Sequence, residues 1–203
     1  VSFTSYNLLA NVARLQQGES VLIHAAAGGI GTTAIQLAKL LGARTVIGTV
    51  GSEAKKEIAL DAGADYVICH QDEDFVEKVN ELTNGEGVNI ILDSISGTVS
   101  ERSLNCLADY GRLVHFGNAS GEIGNFQTKD LHASCRSILG FSFGTTRKKR
   151  PELLQETANE VFRYLRDGRL QIKSTKSFPL QDAGKAHEWV ESRKSTGKVI
   201  LTV

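Results

Sequence analysis

"VLIHAAAGGIGTTAIQLAKLLGA", Val21 to Ala43, carries three structural signals in succession. An apolar, β-branched run is followed by a turn broken by glycines, and the turn by residues spaced like one face of a helix. The strand reads as Ser20 to Ala25, and Ile30, Ala34, Leu37, Ala38 and Leu41 fall at helical spacing. Between them lies Ala27-Gly28-Gly29-Ile30-Gly31. A turn of this kind presents free backbone N–H groups and the positive end of a helix to a crevice, where a diphosphate is held. Gly28 lets the backbone approach phosphate oxygens, Gly31 lets helix and strand pack closely, and Ala26 stands where G-x-G-x-x-G has its first glycine. Glycines also serve ordinary turns; the strand before and the helix after favour dinucleotide binding.

The same alternation continues along the chain. "RTVIGT" (Arg44 to Thr49), "DYVIC" (Asp65 to Cys69), "VNIILD" (Val88 to Asp93), "GRLVHFG" (Gly111 to Gly117) and "SILGFSFG" (Ser137 to Gly144) are short, apolar and bounded by polar or glycine residues. Ser52 to Ala62 and Asp72 to Thr83 are helix-length segments opened by Ser and Asp as caps. Strands joined by helical crossovers imply a parallel sheet covered on both faces, the doubly wound α/β class, with ligands at the carboxyl ends of the strands. A long helix, Glu152 to Asp167, precedes a strand, helix, strand tail. The expected division is a nucleotide-binding domain over 1–168 and a C-terminal segment over 169–203.

Composition narrows the function classes. Of 203 residues, 41% are hydrophobic, enough for an ordinary core, and 23 basic residues balance 23 acidic ones. No net field then favours nucleic acid or an anionic membrane. The basic run Arg147, Lys148, Lys149, Arg150 has no interleaved aromatics and reads as a solvated loop before a helix. No apolar run reaches roughly 18 residues and no signal peptide is visible, so the expectation is a protein of the reducing cytoplasm. Cys69, Cys106 and Cys135 are widely spaced without a C-x-x-C pair, and His132 and His187 lack neighbours at ligand spacing, so no metal site is expected. The chain lacks methionine and opens on a helix-like pattern at Val1, which points to a piece of something longer.

"HAAAGGIGTTAIQLAKLLGA", "GTVGSEAKKEIALDAGAD", "GVNIILDSISG", "GRLVHFGNASG", "SFPLQDAGKAHEWV" and "STGKVILTV" occur in that order from end to end. Together they resemble the quinone oxidoreductase branch of the medium-chain dehydrogenase/reductase superfamily. Ala25, Gly28 and Gly31 match its A-x-x-G-x-x-G turn. The resemblance implies a Rossmann domain, NADPH as cofactor, and zinc-independent reduction of a small-molecule quinone or α,β-unsaturated carbonyl. It also implies an N-terminal GroES-like substrate domain, absent before Val1, to which the tail would return and beside which Gly197 and Lys198 would approach the cleft. Turnover by this chain alone is then doubtful.

The choice between NADPH and NADH is argued from residues. Sites for NAD commonly place Asp or Glu about 20 residues past the glycines, whereas here the strand ends in Ile47-Gly48-Thr49. A 2′-phosphate would meet Ser52 and Lys55, with Lys56 adjacent; alternatively Ser52 is only a cap and the lysines a solvated face. Glu53 would oppose a phosphate or simply face the helix dipole. By resemblance, His70 stands where an aromatic residue lies against adenine, the alternative being a polar loop histidine; Ser94 would lie beside the ribose, and Phe116, Gly117 and Asn118 beside the nicotinamide. Phe143 would wall the ring, or serve as core. His24 and His115 lie within strands, and His24 reads as packed or bonded to backbone.

No catalytic residue is identified. There is no Tyr-x-x-x-Lys pair, no G-x-S-x-G elbow and no zinc cluster. With hydride coming from the cofactor, the protein's task is positioning and charge stabilisation. The alternatives are a non-catalytic nucleotide-binding or structural module and, more distantly, a methyltransferase or nucleotide sensor. Ser137 to Gly144, apolar and without proline or charge, reads as an edge strand that needs a partner. Relatives commonly dimerise there, so a homodimer through this edge is expected.

Overall fold

β1 (Ser20–Ile23) is buried along its whole length, with β2 (Thr45–Val50) on one side and β4 (Val88–Asp93) on the other. A computed structural model describes residues 1–203. With β3 (Tyr66–Cys69), β5 (Leu107–His115) and β6 (Ser137–Gly140), these strands form one parallel sheet in the order β3-β2-β1-β4-β5-β6. The order reverses beside β1, between two halves of three strands each, and this is the switch point at which doubly wound sheets bind ligands.

Alternation along the strands divides the core in two. Val21 and Ile23 face the larger cluster, which is covered by α2 (Gly29–Leu40), α3 (Lys56–Asp61), α8 (Leu153–Arg166) and the N-terminal α1 (Ser2–Tyr6). Leu22, Ile47, Ile91 and Leu113 face the smaller one, with Phe75 and Val79 from α4 (Phe75–Leu82) and Leu104 following α5 (Thr98–Ser103). α1 runs into a wide π-helical turn, Asn7–Val12, which buries Leu8 and Leu9. No helix is long and apolar enough to cross a membrane.

All six strands lie where the apolar runs fall, but several boundaries move. β6 ends at Gly140, and "SILGFSFG" is not one strand. Ser142 accepts the Thr145 N–H at 3.2 Å and caps α7 (Phe143–Lys149). The run Arg147–Lys149 is therefore the last turn of that helix, where cations complement the dipole, instead of a loop. A four-residue helix, α6 (Lys129–His132), precedes β6. β5 begins at Leu107, four residues before Gly111, and absorbs an irregularity opposite Val88 and Ile90 with Tyr110 at φ +60°. The cap of α4 is Asp74, not Asp72, because its carboxylate receives the N–H groups of Val76 and Glu77. The segment after Ser52 starts as a 3-10 turn, Glu53–Lys55, and Ser52 makes no side-chain cap bond.

The tail forms β7 (Ser174–Pro179), α9 (Ala183–Glu191) and β8 (Lys198–Thr202), with β7 and β8 paired in a separate two-stranded sheet. Several contacts tie it to the helices and turns of the main sheet. The Gln36 side chain donates to the Gln171 carbonyl and accepts from its N–H, both at 2.9 Å, and the Gly197 N–H donates to the Ala27 carbonyl at 2.8 Å. On its outer side the Lys176 ammonium lies 3.7 Å from the centre of the Trp189 ring.

Candidate functional site

The glycine turn sits at the carboxyl end of β1, where α2 begins with Gly28 as its first cap residue. A methyl group on Gly31 would lie 2.5 Å from the carbonyl oxygens of both Ala25 and Ala26, so only glycine fits between helix and turn. On Gly28 it would meet a single oxygen, that of Ala25, at 3.2 Å. Ala25 itself holds φ +53°, a left-handed position that glycine adopts without penalty. Ala26, at the place of the missing first glycine, is accommodated by the neighbouring strand. A Cβ on Gly48 would lie 2.6 Å from the Ala26 methyl, so the free volume has moved from the turn to β2.

Gly29 and Ile30 line the mouth of the turn, and the tail crosses beside them. Gly28 and Gly197 form a parallel bridge, and the Lys198 side chain comes within 3.0 Å of where a Gly29 Cβ would stand. The Val1 amine lies close enough that burial, with Lys198 nearby, lowers its pKa. Gly197 and Lys198 thus lie against the turn within this chain.

At the end of β2 the Thr49 hydroxyl is directed inward, 2.9 Å from His24 Nδ1, and its carbonyl receives the Ala26 N–H at 2.9 Å. Thr49 is buried, with its hydroxyl committed to His24 and its carbonyl to Ala26. Of the two readings, packed or bonded to backbone, the structure shows the first for His24. Its second nitrogen is 3.0 Å from the Ser103 hydroxyl, and its ring meets Phe75 edge-on. Burial pushes the His24 pKa down to about 4, against the pull of Asp93. It is a neutral core residue.

The Lys55 ammonium reaches the Arg193 carbonyl, 2.5 Å away, and burial lowers its pKa. Lys56 instead pairs with Glu53 at 2.7 Å and Glu73 at 3.3 Å. Glu53 is thereby neutralised in part, and the Ser52 hydroxyl is left uncommitted to a cap. The His70 ring stands beside Gly51, with Nε2 3.5 Å from the Cβ position of that glycine.

Across the switch point the loops after β4 and β5 interlock. The Ala119 N–H donates to the Ser94 carbonyl and Ser120 to Ile95, both at 2.9 Å, and a Cβ on Gly117 would meet the Ser94 carbonyl at 3.0 Å. Asp93, fully buried, organises this corner, and sequence reasoning did not single it out. One carboxylate oxygen accepts the N–H groups of Ile95 (2.7 Å) and Ser96 (3.2 Å), the other the Ser100 hydroxyl, with His115 Nδ1 at 3.7 Å. An acid closing an apolar strand was the available signal. Phe116 is half-buried against the larger core, while Asn118 is exposed. Phe143 opens α7 and meets Phe3 edge-on at 6.4 Å, a packing contact that leaves it half-buried.

One further group collects at the end of β3: Glu53, Cys69 and Asp72 offer ligand atoms within 4.8 Å of one another. It does not fit a zinc centre. The Cys69 hydrogen bond with Asp72 raises the thiol pKa, and Glu53 is engaged by Lys56.

A family described as zinc-binding dehydrogenase matches residues 29–159. Quinone oxidoreductase 1 of Escherichia coli K12 is 39% identical over 206 residues, covering 98% of this chain and 61% of the relative. A 2-haloacrylate reductase from Burkholderia is 35% identical, covering 98% of this chain and 60% of that protein. The crystal structure of Escherichia coli quinone oxidoreductase complexed with NADPH superposes with a TM-score of 0.90 at 38% identity, over 100% of this chain and 62% of that one. The chain spans about three fifths of the length of these relatives. It belongs to the zinc-binding dehydrogenase family, in the quinone oxidoreductase branch, and corresponds to the cofactor-binding portion of those proteins.

Proposed function

We propose that this chain binds NADPH and serves as the cofactor-binding part of a reductase of quinones or α,β-unsaturated carbonyls. The observation that carries this reading is the cradle at Gly31, where any side chain would strike two carbonyl oxygens at 2.5 Å, in the first turn of α2, whose N–H groups have no partner within the helix. The N–H groups of Ala27, Gly29, Ile30 and Gly31 and the Lys198 ammonium would hold the diphosphate, with the Gly28 N–H bonded to the Ala25 carbonyl at 2.9 Å and shaping the turn. Ser52 and Lys55 would take the 2′-phosphate, and the absence of a carboxylate at Thr49 leaves that corner open to it. His70 would lie along the adenine, Ser94 against the nicotinamide ribose, and Phe116, Gly117, Asn118 and Phe143 around the ring.

When bound, NADPH supplies the hydride. The residues of this chain fix the ring's position, and the interlocked loops after β4 and β5 keep that wall rigid through Asp93. No side chain here is assigned a proton-transfer role. The substrate would meet the ring from a GroES-like domain of the kind the resemblance implies. The reducing cytoplasm suits three free cysteines. The homodimer is proposed through β6, which pairs only with β5. At four residues the edge is half the length first read, so fewer main-chain bonds are available to it.

Calorimetric titration with NADPH and NADH tests the reading. One charge-assisted hydrogen bond of about 1.5–3 kcal/mol to the 2′-phosphate gives NADPH a roughly ten- to hundredfold advantage. Equal affinities, or none for either dinucleotide, overturn it.

A further inference from the structure

The segment Arg193–Lys198 runs between two parts of the proposed cofactor site and is fastened at both. At one end the Gly197 N–H is bonded to Ala27 in the phosphate turn at 2.8 Å. At the other the Arg193 carbonyl accepts from Lys55, a residue 138 positions earlier, at 2.5 Å. Arg193 closes α9 in a left-handed conformation, φ +59°, with its own N–H on Val190. Lys55 has no carboxylate partner among the ion pairs of the chain. An ammonium carries three protons, and the carbonyl occupies one of them.

We propose that Lys55 bridges the cofactor's 2′-phosphate and the Arg193 carbonyl, so that Arg193–Lys198 is clamped to the crevice by a phosphorylated dinucleotide and left looser by an unphosphorylated one. This rests on the assignment of the 2′-phosphate to Lys55. The diphosphate is common to NADPH and NADH and acts at the Gly197 and Lys198 end with either. The 2′-phosphate adds a second fastening at Arg193. Phosphate on one face of the ammonium adds a charge-assisted bond that fixes its position, and the carbonyl bond becomes part of a connected network. Cofactor choice would then be read twice, once as affinity and once as order in the tail.

Hydrogen exchange followed by mass spectrometry, on this chain free and saturated with each dinucleotide, tests the bridge. The amides of Arg193, Gly197 and Lys198 should exchange about tenfold or more slower with NADPH than with NADH, the factor one added charge-assisted bond provides. Lys55→Met should abolish that difference. Equal protection by both dinucleotides, or a difference surviving Lys55→Met, overturns the bridge. Calorimetry on the same samples separates the two levels. Equal affinities for NADPH and NADH remove the assignment of Lys55 to the 2′-phosphate, while unequal affinities with equal protection remove only the clamp.

Discussion

Replacing Gly31 by alanine adds one methyl group where the turn and α2 are closest. That methyl would lie 2.5 Å from the carbonyl oxygens of Ala25 and Ala26 and 2.6 Å from the Ala26 carbonyl carbon. Comfortable carbon contacts begin near about 3.5 Å, so helix and turn must separate by roughly 1 Å. All three atoms are backbone, and no side chain can rotate away, which places the strain near the upper end of the usual overpacking range, about 3 kcal/mol. Alanine recovers about 1 kcal/mol of that through helix propensity and a less flexible unfolded chain. The net loss is about 2 kcal/mol, or roughly 4–8 °C in melting temperature for a chain of this size. Gly28→Ala is the control, since its methyl meets one oxygen at 3.2 Å with φ at an ordinary −77°. It should melt within about 1 kcal/mol of the parent and yet bind NADPH more weakly, because the methyl covers the phosphate approach. Differential scanning calorimetry and cofactor titration of both variants decide. A Gly31→Ala protein that melts with the parent would show that the turn yields, and the cradle argument would fail.

Three other outcomes are expected. His24 has a folded pKa of about 4, below its ordinary value, so the unfolded chain takes up the proton first, and stability falls as pH drops from about 6.5 toward 4. Urea melts of His24→Gln should lack this component, on the order of 3 kcal/mol, and parallel pH profiles for the two proteins would contradict the buried neutral imidazole. Lys55→Ala should reduce the NADPH preference by roughly tenfold or more in calorimetry, with NADH binding little changed; an unaltered ratio removes Lys55 from the 2′-phosphate. Light scattering across a dilution series should show a dimer that Ile138→Lys disrupts, and a parent that stays monomeric at high micromolar concentration refutes the edge pairing.

The sheet was legible because its strands are runs such as Val88 to Asp93, apolar on both faces and closed by a polar residue, and the helices between them carry one apolar stripe. Legibility ended where local pattern and tertiary demand part. "FSFG" alternates like a strand, yet the hydroxyl of Ser142 caps a helix there, and a cap is visible only once the following N–H groups are in place. The glycine turn was read from its neighbours in sequence. The inward turn of Thr49 toward His24 was not, nor the carbonyl that engages Lys55 from the far end of the chain. Such contacts depend on which residues the folded sheet brings together, and no spacing rule encodes them.

The packing of Ala26 over Gly48 fixes an order of events for sequence drift. A methyl at either position is tolerated only while the other is bare, since the two carbons would otherwise stand 2.6 Å apart. A turn with glycine at 26 and alanine at 48 and the present one with the pair reversed are both packable. The route between them passes through glycine at both sites, because the doubly methylated intermediate collides. The first glycine of the fingerprint is therefore a shared allowance of turn and strand, and an alanine in the turn requires the glycine in the neighbouring strand.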